Sequence, residues 1–157
     1  MPDRAPIKPI PDAYPRVSAT LCVDRAHEAI KLYQALFGAE VQLLVRTKSD
    51  KVRHAQLRIG DSLVLLSDEF PELDMQGPRA FGGTPVSLLV FVADVDDVFE
   101  RAIKAGCRSI WSVRDQFYGD RSGKFEDPFG HRWSVASHIE DLSLQEIEKR
   151  ALALERQ

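Results

Sequence analysis

SATLCVDRAHEAIKLYQALFG, residues 18–38, decides the fold, because its pattern returns later in the chain. Residues 87–106 read SLLVFVADVDDVFERAIKAG, and a shift of 69 residues places Val92 on Val23. In both stretches a short apolar run, typical of a strand, precedes apolar residues at the spacing of one helical face. Internal repetition of this kind predicts a duplicated structural unit.

Three more predicted strands complete the first unit: Glu40–Arg46, Val52–Ile59 and Ser62–Ser67. FGHRWSVAS, residues 129–137, echoes IGDSLVLLS, residues 59–67, so the second unit ends in the same way. We therefore expect an α+β fold in which two βαβββ repeats form open, curled, mixed β-sheets around a cavity. A helix should follow at the C-terminus.

The chain divides into three predicted regions. Five of its nine prolines lie in the first fifteen residues, so residues 1–16 are predicted to form an extended arm. The domain should span residues 17–138, with repeats at 17–67 and 86–138, and the C-terminal helix lies in 139–157. Asp24 is placed to cap the first helix, since aspartate is a favoured N-cap residue.

Composition excludes several kinds of partner. The 157 residues carry a net charge of −3 with no cluster of Lys and Arg, which argues against nucleic acid. No run approaches the roughly 20 apolar residues of a membrane span, and the first residues lack the apolar segment of a signal peptide. Cys22 and Cys107 form no C-x-x-C pair, which favours free thiols and a cytoplasmic protein.

The common nucleotide-binding, hydrolase and metalloprotease motifs are absent from the sequence. The alternation of His54, Gln56 and Arg58 makes one face of a predicted strand polar. This face is either the solvated outside of a sheet or the wall of a polar cavity. His54, Asp115 and His138 are the candidate acid–base residues if the protein is an enzyme.

VDRAHEAIKLYQALFGA, residues 23–39, within a duplicated βαβββ pattern, resembles the vicinal oxygen chelate superfamily of glyoxalase I and the bleomycin-resistance proteins. Within it, four further stretches resemble the bacterial PhnB-like branch. They are PIPDAYPRV (9–17), HAQLRIGDS (54–62), LSDEFPE (66–72) and DQFYGDRSGKFEDPFGHRW (115–133). The resemblance extends from Pro9 to His138.

The resemblance implies four positions at which the superfamily's metalloenzymes carry metal ligands. In this chain those positions are Ser18, Val64 or Leu65, Ser87 and Ser134. None of these side chains is a normal ligand for a divalent ion, which favours imidazole, thiolate or carboxylate. We therefore expect no metal and no other cofactor.

The implied cavity leaves a set of candidate ligand-binding residues on the strands and in the second half of the chain. They are Ser18, Thr20, Cys22, His54, Ser87, Leu89, Phe91, Trp111, Phe117, Arg121 and Trp133. Each aromatic residue has core packing as its alternative role. Arg121 has as its alternative a surface ion pair with Asp120 or Asp115.

Three functions remain open. The preferred one is a metal-independent protein that sequesters or carries an aromatic or polycyclic ligand. The second is a lyase or isomerase that uses protein acids and bases or a non-standard metal site. The third is a module that binds another protein through the apolar face of the tail helix. A homodimer is expected under all three.

Overall fold

The structure is a computed structural model that describes residues 6–155. Residues 1–5 of the predicted arm and residues 156–157 of the predicted tail lie outside this range. The elements are β1 Ala19–Val23, α1 Ala26–Phe37, β2 Glu40–Arg46, β3 Val52–Ile59, β4 Ser62–Asp68, β5 Ser87–Phe91, α2 Val95–Lys104, β6 Arg108–Asp115, β7 Asp120–Glu126, β8 Arg132–His138 and α3 Leu144–Leu154.

The strands form two sheets of four, each built from one unit. Sheet 1 has the order β1-β4-β3-β2, and sheet 2 has the order β5-β8-β7-β6. In each sheet the first strand is parallel to the fourth, and the other pairs are antiparallel. Neither sheet closes into a barrel, so the predicted fold of two open βαβββ units with a C-terminal helix is confirmed.

The strand register confirms that the halves are equivalent. Thr20 pairs with Leu65 in sheet 1, and Leu89 pairs with Ser134 in sheet 2. Both residues of the second pair lie 69 positions beyond those of the first. The alignment made from sequence therefore describes the same positions in space.

The start of α1 differs from the prediction that Asp24 caps it. Arg25 occupies the N-cap position and makes no side-chain capping bond. The carboxylate of Asp68, at the end of β4, instead accepts hydrogen bonds from the backbone N–H groups of Ala26 and Val52. In unit 2 the equivalent Ser137 accepts the N–H of Val95 in the same way. In both units a residue at the end of the fourth strand thus accepts a backbone N–H group of the first helical turn, which a local cap residue normally binds.

The core lies between the helices and one face of each sheet. Helix α1 buries one apolar stripe against sheet 1, and α2 covers sheet 2. The units also share one core, because Tyr33 and Phe37 of α1 pack against Trp133 of β8. The ring centroids of Tyr33 and Phe37 lie 5.0 and 4.8 Å from that of Trp133.

A buried carboxylate, Asp127, joins the two units. This residue is only 3% exposed and lies in the turn that leads into β8. One oxygen accepts the backbone N–H groups of Phe129 and His131 at 2.9 and 3.0 Å. The other accepts the Tyr33 hydroxyl at 2.6 Å and the Trp133 indole N–H at 2.9 Å. Four donors therefore compensate for the loss of hydration on burial.

Helix α3 follows sheet 2. Ser143 Oγ accepts the backbone N–H of Glu146 and so caps the start of the helix. Arg150 binds both carboxylate oxygens of Glu140 at 2.8 Å and so holds the helix to the segment that follows β8. Among residues 6–155, no helix has the length and apolar character needed to cross a membrane.

We predict that Asp127→Ala lowers the free energy of unfolding by about 3–5 kcal/mol, because it leaves four donors without their acceptor. Tyr33→Phe should cost about 1.5–3 kcal/mol, the value of one hydrogen bond to a charged group. Urea denaturation measures both changes, with Tyr118→Phe as the control at an exposed tyrosine.

In the Asp127→Ala background, Tyr33→Phe should cost less than in the wild type, since the shared hydrogen bond is already lost. Fully additive costs for the two substitutions would contradict a direct coupling between Tyr33 and Asp127.

Candidate functional site

Each sheet has one face covered by its helix and one face turned away from it, which we call the open face. On β3, Ala55 and Leu57 face the core and are fully buried. His54, Gln56 and Arg58 alternate with them and are half-buried on the open face. The polar row predicted from sequence therefore lies on the side of the sheet that α1 does not cover.

The open face of sheet 1 combines this polar row with small and apolar side chains. The register places on it Thr20, Cys22, Leu43, Val45, Leu65 and Ser67. Of the ligand-binding residues predicted in unit 1, Thr20, Cys22 and His54 therefore share one surface.

A chain of hydrogen bonds crosses this open face. The Tyr14 hydroxyl, from the N-terminal arm, donates to Gln56 Oε1 at 2.9 Å. The Gln56 amide nitrogen lies 3.3 Å from His54 Nε2. The three side chains thus connect the arm to β3.

The Cys22 thiol is free and half-buried. Burial raises its pKa, and the neighbouring Ser67 hydroxyl opposes this only in part. The thiol lies 3.6 Å from the carbonyl of Asp68, to which it donates. Burial raises the pKa of Cys107 to about 12. Both cysteines are free, as predicted, and both favour the protonated thiol over the nucleophilic thiolate.

The open face of sheet 2 is more apolar. It carries Leu89, Phe91 and Trp111, which are 57%, 59% and 56% exposed. Lys124 lies over the Trp111 ring at 4.8 Å. Ser87 and Ser134 share this face. The register therefore groups the predicted residues Ser87, Leu89, Phe91 and Trp111.

A cleft of about 490 Å³ lies between the units. Its walls come from the start of β1, the β3–β4 hairpin and β5, and they include Phe37, Leu63, Leu89 and Phe91. Ser18 also lines the cleft, and its buried hydroxyl has no hydrogen-bond partner among residues 6–155. Most residues that line the cleft are therefore apolar, and Ser18, Asp61 and Ser62 are the polar residues in its lining.

Other predicted ligand-binding residues lie elsewhere. Trp133 is 1% exposed and belongs to the core, although its ring touches the floor of the cleft. Phe117 packs edge-on against Tyr118 at 5.1 Å in the β6–β7 hairpin. Arg121 forms surface ion pairs with Asp96 and Asp115. The ion pair with Asp115 is the alternative role that the sequence suggested, and Asp96 is an additional partner.

The candidate acid–base residues do not form one group. His54 lies on sheet 1, whereas Asp115 and His138 lie at the ends of strands in sheet 2. His138 contacts the carboxylates of Asp120 and Asp141, both at 2.7 Å. The hydrogen bond with Asp120, followed by that with Asp141, raises the pKa of His138.

The residues at the four metal-ligand positions do not fit a divalent ion. Ser18, Ser87 and Ser134 offer only hydroxyl groups. Of the two candidates Val64 and Leu65, Leu65 lies on the open face, because Val64 pairs with Leu57 and faces the core. In the part of the chain that the structure describes, no three His, Cys, Asp or Glu side chains are grouped closely enough to hold a metal ion.

Sequence reasoning missed two residues of this surface. Tyr14 belongs to the arm, and its contact with Gln56 spans 42 residues, so no local pattern indicates it. Lys124 was also missed. Its alternation with Ser122 and Glu126 along β7 indicates a polar strand face and could have identified it.

Comparison with known proteins identifies the family. The sequence model described as the Glyoxalase/Bleomycin resistance protein/Dioxygenase superfamily matches residues 16–135. The uncharacterized protein Mb0911c of Mycobacterium bovis is 38% identical over 137 residues, which cover 85% of this chain and 90% of that protein.

Two solved structures illustrate the shared fold. TioX from Micromonospora sp. ML1 has a TM-score of 0.60 and 25% identity, and the match covers 78% of this chain and 97% of that one. A PhnB protein from Bacillus cereus has a TM-score of 0.62 and 18% identity, with 78% and 99% covered. The predicted membership in this superfamily is confirmed, and the PhnB protein shares the fold of this chain.

We predict that Tyr14→Phe releases the arm from sheet 1. The bond to Gln56 is the one side-chain hydrogen bond between residues 6–16 and the rest of the described chain. Its loss should speed tryptic cleavage after Arg16 about three- to tenfold, as expected for one neutral hydrogen bond. Mass spectrometry of timed digests measures this rate.

Gln56→Leu should give the same acceleration, and Tyr14→Phe should add nothing to it. Tyr118→Phe is the control. Equal cleavage rates in wild type and Tyr14→Phe would show that the Tyr14 contact does not hold the arm.

Proposed function

We propose that this chain, which belongs to the Glyoxalase/Bleomycin resistance protein/Dioxygenase superfamily, binds a small aromatic molecule without the help of a metal ion. The observation that carries the proposal is the cleft of about 490 Å³ between the two units. This volume lies within the range of ligand pockets, which are typically apolar with few polar groups.

The composition of the cleft favours a flat, apolar ligand. Phe37, Leu63 and Leu89 supply apolar surface, and burial of that surface against a ligand is the main source of affinity. Phe91 at the edge provides an aromatic face for stacking. Asp61 and Ser62, both in the lining, supply polar anchors for the ligand.

Metal independence follows from the chemistry of the residues. Ser18, Leu65, Ser87 and Ser134 stand where the metalloenzymes of the superfamily carry ligands, and a divalent ion needs at least three stronger donors than these. The family description also names bleomycin resistance proteins, and this fits a role in which binding alone is the activity.

We further propose that the chain forms a homodimer. Leu89, Phe91 and Trp111 leave an apolar patch on the open face of sheet 2, and such patches typically mark interaction sites. Each chain has two equivalent open faces because of the repeat. In a dimer with a twofold axis, the open face of sheet 2 in each copy would cover the open face of sheet 1 in the other. Both pairs of faces are then used, so no further copy can add.

We predict that the uncharged fluorescent probe phenylnaphthylamine binds the cleft saturably, with one probe per chain. Ser18→Phe should weaken binding about tenfold or more, because the new ring fills space that the probe needs. Ser112→Phe, the same change at an exposed position of β6, should leave the affinity unchanged. Fluorescence titration and calorimetry measure the affinity and stoichiometry.

Chelation provides the test of metal independence. Dialysis against EDTA, checked by elemental analysis, should leave the phenylnaphthylamine affinity unchanged. Loss of binding after dialysis, with recovery on adding Zn²⁺, Ni²⁺ or Mn²⁺, would contradict this part of the proposal.

For the dimer, we predict that Trp111→Asp raises the dissociation constant about 30-fold or more, as expected for an aromatic residue at the centre of an interface. Phe81→Asp changes an exposed aromatic residue in the loop between the units and serves as the control. Sedimentation equilibrium at several concentrations measures both. A wild-type monomer at high protein concentration would refute the dimer.

A further inference from the structure

We propose that Arg58 forms an anion-binding subsite beside the cleft, so that the ligand is an aromatic molecule bearing a carboxylate, sulfonate or phosphate-type group. The inference rests on the proposed function, because it describes a second part of the same ligand. It is carried by the surroundings of Arg58, which differ from those of the other half-buried basic residues.

Most half-buried basic side chains of the described chain are neutralised. Four arginines have a carboxylate within 4 Å: Arg101, Arg121, Arg132 and Arg150. Lys124 lies over the ring of Trp111 instead. Among residues 6–155, Arg58 has neither an ion pair nor an aromatic ring beneath it. The charge of Arg58 is therefore not neutralised within the described chain and is available to an anion.

In the second unit the equivalent position carries a charge that is paired within the sheet. Arg58 pairs across the strands with Leu63, and the equivalent pair in unit 2 is Glu126 with Arg132. There Glu126 binds Arg108 at 3.1 Å and lies 3.7 Å from Arg132. The charges at these positions of unit 2 are thus paired within the sheet, while the Nε atom of Arg132 is buried without a hydrogen-bond partner in the described chain. The charge of Arg58 in unit 1 has no such partner in the described chain.

Arg58 is placed to reach a ligand in the cleft. Its cross-strand partner Leu63 lines the cleft, so the two side chains lie side by side on the open face. An apolar ligand body in the cleft would therefore have a cation at its edge. The planar guanidinium can bind two oxygens of an anion at once.

Polar and charged groups also surround Arg58. Gln56 lies two residues away on the same face of β3 and is hydrogen-bonded to Tyr14 and His54. Two carboxylates oppose an anion here: Glu40, which pairs across the strands with Arg58 but makes no ion pair with it, and Asp61, which lines the cleft.

Two probes that differ by one charge test the inference. Phenylnaphthylamine reports the cleft alone, and anilinonaphthalene sulfonate adds a sulfonate to the same ring system. The wild type should bind the sulfonate about tenfold more tightly than the uncharged probe, the effect expected of one hydrogen-bonded charge pair.

Arg58→Gln should remove this preference and leave phenylnaphthylamine binding unchanged, which also shows that the variant is folded. Glu40→Gln should strengthen sulfonate binding a few-fold, because it removes the opposing charge. Arg114→Gln, at an exposed arginine of β6, is the matched control and should change neither affinity.

The outcomes separate the two proposals. If both probes bind equally and Arg58→Gln changes neither, the anion subsite is wrong and the aromatic cleft stands. If the preference for the sulfonate survives in Arg58→Gln, the anion binds elsewhere and the assignment to Arg58 is wrong. If neither probe binds the wild type, the aromatic cleft itself is refuted, and the subsite with it.

Discussion

The buried carboxylate of Asp127 is the constraint on which the arrangement of the two units depends. A carboxylate in an apolar core is costly unless its oxygens are fully hydrogen-bonded, and this one accepts four donors. Two of them fix the turn before β8, and the other two belong to Tyr33 and Trp133. Burial raises the pKa of Tyr33 well above its usual value, so the phenol keeps the proton that it donates. The cleft lies between the units, and its shape therefore depends on this contact.

Within that frame the units share a backbone and differ in the surface they present. Both use the end of their fourth strand to satisfy the start of their helix, through Asp68 in one case and Ser137 in the other. Their open faces differ in chemistry, because sheet 1 carries a row of hydrogen-bonding side chains and sheet 2 an apolar group with Trp111. A molecule in the cleft meets Leu89 and Phe91 of sheet 2 on one side and the β3–β4 hairpin of sheet 1, with Asp61 and Ser62, on the other. This asymmetry favours a ligand with one polar end.

The positions that carry metal ligands in related enzymes have side chains of a different kind in this chain. Serine hydroxyls and a leucine at those places leave the strand geometry intact and remove the donors that a divalent ion requires. Ser18 lines the cleft, and its hydroxyl is buried without a hydrogen-bond partner in the described chain. The same backbone that positions metal ligands elsewhere is thus available to position hydrogen-bonding groups, and binding then depends on shape, apolar area and a few polar contacts.

The sequence by itself determined the repeat, the strand and helix pattern and the absence of normal ligands at the four superfamily positions. These features depend on side-chain periodicity or on residue type at one place, and both are visible in a linear string. It also placed His54, Gln56 and Arg58 on one face of a strand, but it left open whether that face is a solvated exterior or part of a cavity.

Only the tertiary structure decided which of these residues have partners. Asp68 replaced Asp24 as the residue that satisfies the start of α1, and Tyr14 met Gln56, each across 42 residues. Trp133 went to the core, and Arg58 remained without an acceptor while its counterpart Glu126 was paired. Contacts of this kind depend on how strands pair and how units pack, and periodicity along the chain does not specify either.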